Sequence, residues 1–168
     1  LMLGHSLGEY SALVCSNKLD LKDASLILKK RGDLMQNAVE PNQSGMAALI
    51  GCNAQDVSEI ISKKKINLEI ANDNSPIQIV VSGAIEEIDK NKELFIKNNV
   101  KKYIKLNVSA AFHSKYMFDA QNLLNKDIDK LKFIDNDVGI ISNYNAELTK
   151  DNLRIKDALK KQMANRVR

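Results

Sequence analysis

The stretch LMLGHSLGEYSALV, residues 1–14, decides how the rest of the sequence is read. Gly4-His5-Ser6-Leu7-Gly8 fits the pattern G-x-S-x-G, in which a strand turns sharply into a helix and lifts a serine oxygen clear of the backbone. Residues 1–3 read as the end of a buried strand and residues 8–15 as the start of a helix. Glycine suits both flanking positions, because side chains there are expected to collide with the neighbouring strand and helix. The helix N-terminus then aims unpaired N–H groups toward Ser6, where they can stabilise an oxyanion. Taken by itself, the pentapeptide also fits a structural glycine-rich turn.

The chain has 168 residues, 44% hydrophobic and 27% charged, enough for one core or for two small lobes. No apolar run approaches the roughly 20 residues of a membrane span, and none of the segments reads as a signal or targeting sequence. The expected location is a bacterial cytoplasm, with mitochondrion and plastid as alternatives. Cys15 and Cys52 form neither a metal-type spacing nor a disulfide framework, which suits a reducing compartment, and both read as core residues. The net charge of +4 comes from lysines scattered over helix faces, a solvated surface or a landing area for an acidic partner. Nucleic-acid binding is disfavoured, because the basic runs are short and lack interleaved aromatics. Only His5 and His113 can serve as a catalytic histidine.

A second helix is predicted to begin between Asp20 and Asp23, with Ala24, Ile27, Leu28, Leu34 and Met35 on its apolar stripe. Arg31 falls on that stripe. A buried guanidinium is costly unless an anion meets it, so a protein carboxylate or a ligand carboxylate is expected opposite. Residues 45–51 read as a strand and residues 53–65 as a helix capped near Asn53. Two strands follow, INLEIA and IQIVVSG, joined by the turn NDNSP, then a helix with Ile85, Ile88, Leu94 and Phe95 inward, and the strand KYIKLN. This β-α-β-β-α-β order is that of a ferredoxin-like unit, and it reads as a lobe inserted into a larger α/β domain. Beyond it come VSAAFHSKYM, a helix with Met117, Ala120, Leu124, Ile128 and Leu131 inward, the strand VGIIS, and a last helix over residues 151–164. Gln162 lies on the apolar stripe of that helix and calls for a buried partner. Residues 1–3 and VGIIS are the only strands left for the larger sheet, too few for a parallel core, so the sequence reads as a piece of a longer domain.

In order and spacing, GHSLGEYSALV, RGDLMQNAV, GMAALIG, NDNSPIQIVVSG, VSAAFHSKYM and SNYNAE together resemble the malonyl-CoA:acyl-carrier-protein transacylase family. The resemblance implies an α/β-hydrolase-like domain, residues 1–44 and 108–168, carrying a ferredoxin-like subdomain, residues 45–107. It implies Ser6 as nucleophile, His113 as general base and then acid, and Gln162 as the residue whose carbonyl orients His113. Leu7 would supply one backbone N–H of the oxyanion hole. Arg31 would grip the free carboxylate of malonate, which accounts for a cation on an apolar stripe. His5 would shape the site, and Asn143 would lie near the cleft. Phe112 before His113, with leucine after the serine, resembles the malonyl-selective members of related polyketide acyltransferases. The family's Gly-Gln-Gly and Gly-Pro-Gly segments have no counterpart in these 168 residues.

The implied reaction moves a malonyl group from malonyl-CoA to the phosphopantetheine thiol of acyl carrier protein through a seryl ester, with no metal or other cofactor. Alternatives are a serine hydrolase or thioesterase of related architecture, a non-catalytic fragment serving as an interaction remnant, and an acyltransferase domain of a larger synthase. An ester hydrolase has no need of an inward Arg31.

Overall fold

The computed structural model describes residues 1–168. Helix α1 (Leu7–Cys15) follows the elbow, and α2 (Leu21–Gln36) starts at Asp20, whose carboxylate accepts from the amides of Lys22 and Asp23. That cap meets two of the orphan N–H groups every helix start leaves. The buried face of α2 is Ala24, Ile27, Arg31 and Met35, so the cation does lie inward.

Strand β1 (Ser44–Ile50), α3 (Ala54–Lys64), β2 (Leu68–Ser75), β3 (Gln78–Ala84), α4 (Ile85–Lys90), α5 (Lys92–Lys97) and β4 (Lys102–Lys105) follow in turn. The strands form one antiparallel sheet in the order β2-β3-β1-β4. Asn53 and Asp56 close a reciprocal capping box at the start of α3. Side-chain alternation gives β1 two buried faces. Ala47 and Leu49 join a core with Val57, Ile88 and Phe95 under the helices, while Met46 and Ala48 join Ala71 and Val80 on the opposite face.

The second core gathers Tyr10, Leu13 and Ile27 with Met117, Leu124, Ile128, Ile140, Ile155 and Leu159. It is built from α1, α2, α6 (Phe118–Ile128) and α7 (Asn152–Lys161), beside a two-stranded ribbon of β5 (Ile140–Ile141) and β6 (Leu148–Thr149). Phe112 packs against this core and against the Met46 face of the sheet, joining the two bodies.

Several expectations change. Residues 1–3 do not form a buried strand: Met2 makes a single bridge to Ile140, and Leu1 and Leu3 are exposed. With hydrogen bonds on one side only, to Gly139 and from Ile141, the segment has no second neighbour to bury it. VGIIS contracts to two residues, Ile140 and Ile141, paired with Thr149 and Leu148. NDNS belongs to β2 rather than to a turn, because Asn72 pairs with Val80 on one side and bridges Val167 on the other. The helix expected after β3 divides at Asn91, whose side-chain amide takes the Glu87 carbonyl. The last helix ends at Lys161, one residue before Gln162. Cys52 is buried as expected, but Cys15 is exposed.

The two elbow glycines differ in kind. A Cβ on Gly4 would stand 2.0 Å from the Gly8 carbonyl oxygen, whereas one on Gly8 would meet nothing within 4 Å. Only Gly4 is sterically required. Gly4→Ala should therefore destabilise the chain by more than about 2 kcal/mol in urea unfolding. Gly8→Ala should be neutral or stabilising by up to about 1 kcal/mol, since alanine is the better helix former.

Candidate active site

Ser6 sits at the start of α1 with φ 54° and ψ −108°, a conformation that costs a residue other than glycine strain energy. Asn143 holds it there. Its side-chain Oδ1 accepts from the Ser6 amide at 2.6 Å, and its Nδ2 donates to the Gly4 carbonyl at 2.7 Å. A serine at a helix start ordinarily turns its hydroxyl onto the first-turn amides. Ser6 makes no such cap, and its hydroxyl is free for other partners.

Those partners come from two distant segments. His113 Nε2 lies 2.8 Å from Ser6 Oγ, and Arg31 Nη2 donates to the same oxygen at 2.9 Å. His113 is presented by a tight turn with φ 55°. The turn is tied by Ser114 Oγ donating to the Ala111 carbonyl, and by the Ala111 amide donating to Ser44 Oγ on β1. On its far side, His113 Nδ1 faces the backbone carbonyl of Gln162 at 3.0 Å. A carbonyl only accepts, so Nδ1 carries the proton and Nε2 offers its lone pair to the serine. Burial pushes the His113 pKa from 6.5 down to about 4, the Gln162 carbonyl opposes that shift, and the Arg31 charge adds to it. The imidazole is thus a neutral base at physiological pH.

The Gln162 side chain has the buried partners its position demanded. Nε2 donates to Glu9 Oε2 at 2.6 Å and to the Ser6 carbonyl at 2.9 Å, while Oε1 accepts from Arg31 Nη2 at 3.2 Å. Arg31 is 6% exposed, lies over the Tyr10 ring at 5.9 Å from its centroid, and leaves its Nε without a partner. It enters no salt bridge. Burial lowers its pKa, and the coulombic pull of Tyr10 and Glu9 opposes the loss.

These groups border a cavity of about 440 Å³ between the sheet and the helical body, lined by His5, Ser6, Arg31, Met46, Phe112 and His113 among others. His5 is exposed at its edge and pairs with Asn74 Oδ1 at 2.9 Å. The Leu7 amide, at the first position of α1, has no acceptor within the chain and is open to a bound oxygen. Asn143 lies beside the elbow, as expected of a residue near the cleft, and both ends of its amide are taken by the elbow backbone, so it supports the serine from behind. Glu9 is the buried residue that sequence reasoning missed. An acid in the first turn of a helix reads as a solvated partner of the helix dipole. Its only distinguishing signal is a position one turn before Leu13, on the face that α1 buries. No group of three or more His, Cys, Asp or Glu side chains converges on a metal-sized site.

Comparison with known proteins identifies the family. A model of the acyl transferase domain matches residues 1–166. The malonyl CoA-acyl carrier protein transacylase of Bacillus subtilis (strain 168) is 39% identical over 168 residues, covering 98% of this chain and 53% of that protein. Among solved structures, an acyl carrier protein S-malonyltransferase from Vibrio cholerae superposes with a TM-score of 0.92 at 33% identity, covering 99% of this chain and 55% of that one. A type II polyketide malonyl-transacylase, solved in complex with its acyl-carrier protein, superposes with a TM-score of 0.92 at 30% identity, covering 100% and 55%. The chain spans about half the length of the curated transacylases it matches.

The buried imidazole has a measurable consequence. A histidine with a folded pKa below its unfolded value binds fewer protons when folded. Its contribution to stability is present above pH 6.5 and is lost as the pH falls toward about 4. In an NMR titration, His113 should keep neutral-ring shifts through pH 6.5 and inflect near 4; an inflection near 6.5 would show a solvated ring.

Proposed function

The chain belongs to the acyl transferase domain family, and on that premise we propose that it carries the acyl-accepting half-site of a malonyl-CoA:acyl-carrier-protein transacylase. The observation that carries the reading is one serine hydroxyl touched at once by a neutral imidazole and by a buried guanidinium that no protein carboxylate pairs. A hydrolase of neutral esters needs the first contact and has no use for the second. In architecture, the βαββαβ sheet over residues 45–107 is a ferredoxin-like subdomain, and residues 1–44 with 108–168 belong to an α/β-hydrolase-like domain.

The cycle follows from the hydrogen bonds. His113 Nε2 takes the Ser6 proton as Oγ attacks the thioester carbonyl carbon of malonyl-CoA. The Leu7 N–H, and the dipole of α1 behind it, face the oxygen that gains charge. Collapse breaks the C–S bond, His113 returns its proton to the coenzyme A sulfur, and malonate remains esterified to Ser6. The phosphopantetheine thiol of acyl carrier protein then gives His113 its proton and attacks the ester, and Ser6 leaves reprotonated. The Gln162 carbonyl keeps the ring in the required tautomer throughout and favours the transient imidazolium.

Arg31 supplies selectivity. Its buried fork suits a planar carboxylate, and a neutral acetyl group would leave the Arg31 Nε donor without a partner, the kind of mismatch that discriminates strongly. Phe112 and Met46 bound the acyl space on the apolar side. Acyl carrier protein and malonyl-CoA are the proposed partners, and a cytoplasmic location is proposed with them. No helix of the chain is long and apolar enough to cross a membrane.

Brief exposure to malonyl-CoA followed by intact-mass spectrometry should reveal a malonyl adduct that Ser6→Ala abolishes. Arg31→Ala should keep the nucleophile but lose at least about tenfold of the preference for malonyl-CoA over acetyl-CoA. An unchanged preference would remove Arg31 from the carboxylate site.

A further inference from the structure

A guanidinium in a water-poor site needs a negative charge nearby, or its burial costs several kcal/mol. Glu9 and Tyr10 are the groups whose coulombic influence favours the Arg31 charge, and burial pushes the Tyr10 phenol far above its ordinary value, leaving it neutral. Glu9 is 0% exposed and plays no part in the proton transfers. Its Oε2 accepts two hydrogen bonds, from Gln162 Nε2 at 2.6 Å and from the Asn143 amide at 3.2 Å. Burial raises the Glu9 pKa above its ordinary value, and the hydrogen bonds from Gln162 and Asn143 together with the Arg31 charge oppose that rise by favouring the ionised form.

Between anion and cation lies one amide group. Gln162 points its N–H end at Glu9 and its carbonyl end at Arg31, so the two charges polarise the same dipole and hold it against a flip. The backbone of that residue orients His113. We propose that Glu9 is the resident counter-anion of Arg31, joined to it by the side-chain amide of Gln162, and that its charge sets how tightly the guanidinium holds an acyl carboxylate in the cavity. The proposal rests on the reading of Arg31 as the carboxylate clamp. A compensated guanidinium binds a carboxylate less tightly than a bare one. That restraint matters in a transferase, because an acyl group held too well in the ground state is discharged slowly.

The test uses this chain in a Ser6→Ala background, which cannot be acylated, and measures dissociation constants for malonyl-CoA and acetyl-CoA by calorimetry. The two ligands share coenzyme A and differ in the acyl carboxylate. Glu9→Gln keeps the side-chain length and an oxygen that can accept from Gln162, but removes the charge. It should raise the malonyl-to-acetyl affinity ratio by between about threefold and thirtyfold, the effect of one unit charge several ångströms away at a protein-like dielectric. Glu9→Asp, which keeps the charge, should leave the ratio near that of the parent. A ratio unmoved by Glu9→Gln, or moved equally by Glu9→Asp, would mean that Glu9 only shapes the site. Arg31→Ala separates the two readings: if it leaves the ratio unchanged, the clamp itself fails. If it removes the preference while Glu9→Gln does nothing, only the counter-anion fails. Should Glu9→Gln unfold, the double variant Glu9→Gln/Arg31→Met must recover the fold, since it buries neither charge, and a double variant no more stable than the single would overturn the pairing.

Discussion

Everything in this chain converges on the hydroxyl of Ser6, which is bonded from two directions by groups 25 and 107 residues away in sequence. Neither contact survives unless the serine is held in its strained backbone conformation, and the fold supplies that restraint through Asn143, 137 residues away. The elbow is therefore a tertiary object. The pentapeptide permits it, chiefly by leaving Gly4 without a side chain, and the packing of the β5 end of the helical body enforces it.

A second constraint is electrostatic. Glu9, Arg31, His113 and Gln162 are all nearly inaccessible, and together they bring a carboxyl, a guanidinium, an imidazole and an amide into one site. In a low-dielectric site such groups are stable only when each meets its complement. The hydrogen bonds achieve this with few loose ends, and Glu9 Oε1, the Tyr10 hydroxyl, Arg31 Nε and Ser142 Oγ are among the buried polar atoms that lack partners. The Arg31 nitrogen is the informative one. A buried donor on a cation beside a 440 Å³ cavity is what a site leaves open for an anion to fill.

The local patterns were readable because helices and strands obey short periods. The stripe of α2 placed Arg31 inward, the capping residues Asp20 and Asn53 marked helix starts, and the short apolar runs GMAALIG and IQIVVSG marked β1 and β3. The Gln162 position asked for a polar partner and found three. What failed were mostly features made by distant pairing. The continuation of β2 through Ser75 depends on Val167, and the exposure of Leu1 and Leu3 depends on how few strands lie beside them, whereas the break at Asn91 is local, made by its side-chain amide bonding Glu87 one turn earlier. Glu9 and the supporting role of Asn143 escaped reading because an acid in a first turn and an asparagine after a strand have ordinary local roles. His113 was identified through family resemblance, because nothing in its immediate sequence announces a base.

The central claim is that the folded chain holds Ser6 as an activated nucleophile, and reactivity toward a serine-directed fluorophosphonate tests it most directly. Peptide mapping after brief labelling should place the adduct on Ser6 alone among the serines, with the rate cut at least about a hundredfold in His113→Ala. Labelling of Ser6 no faster than of exposed serines such as Ser11 and Ser25, in a chain shown to be folded, would contradict the account.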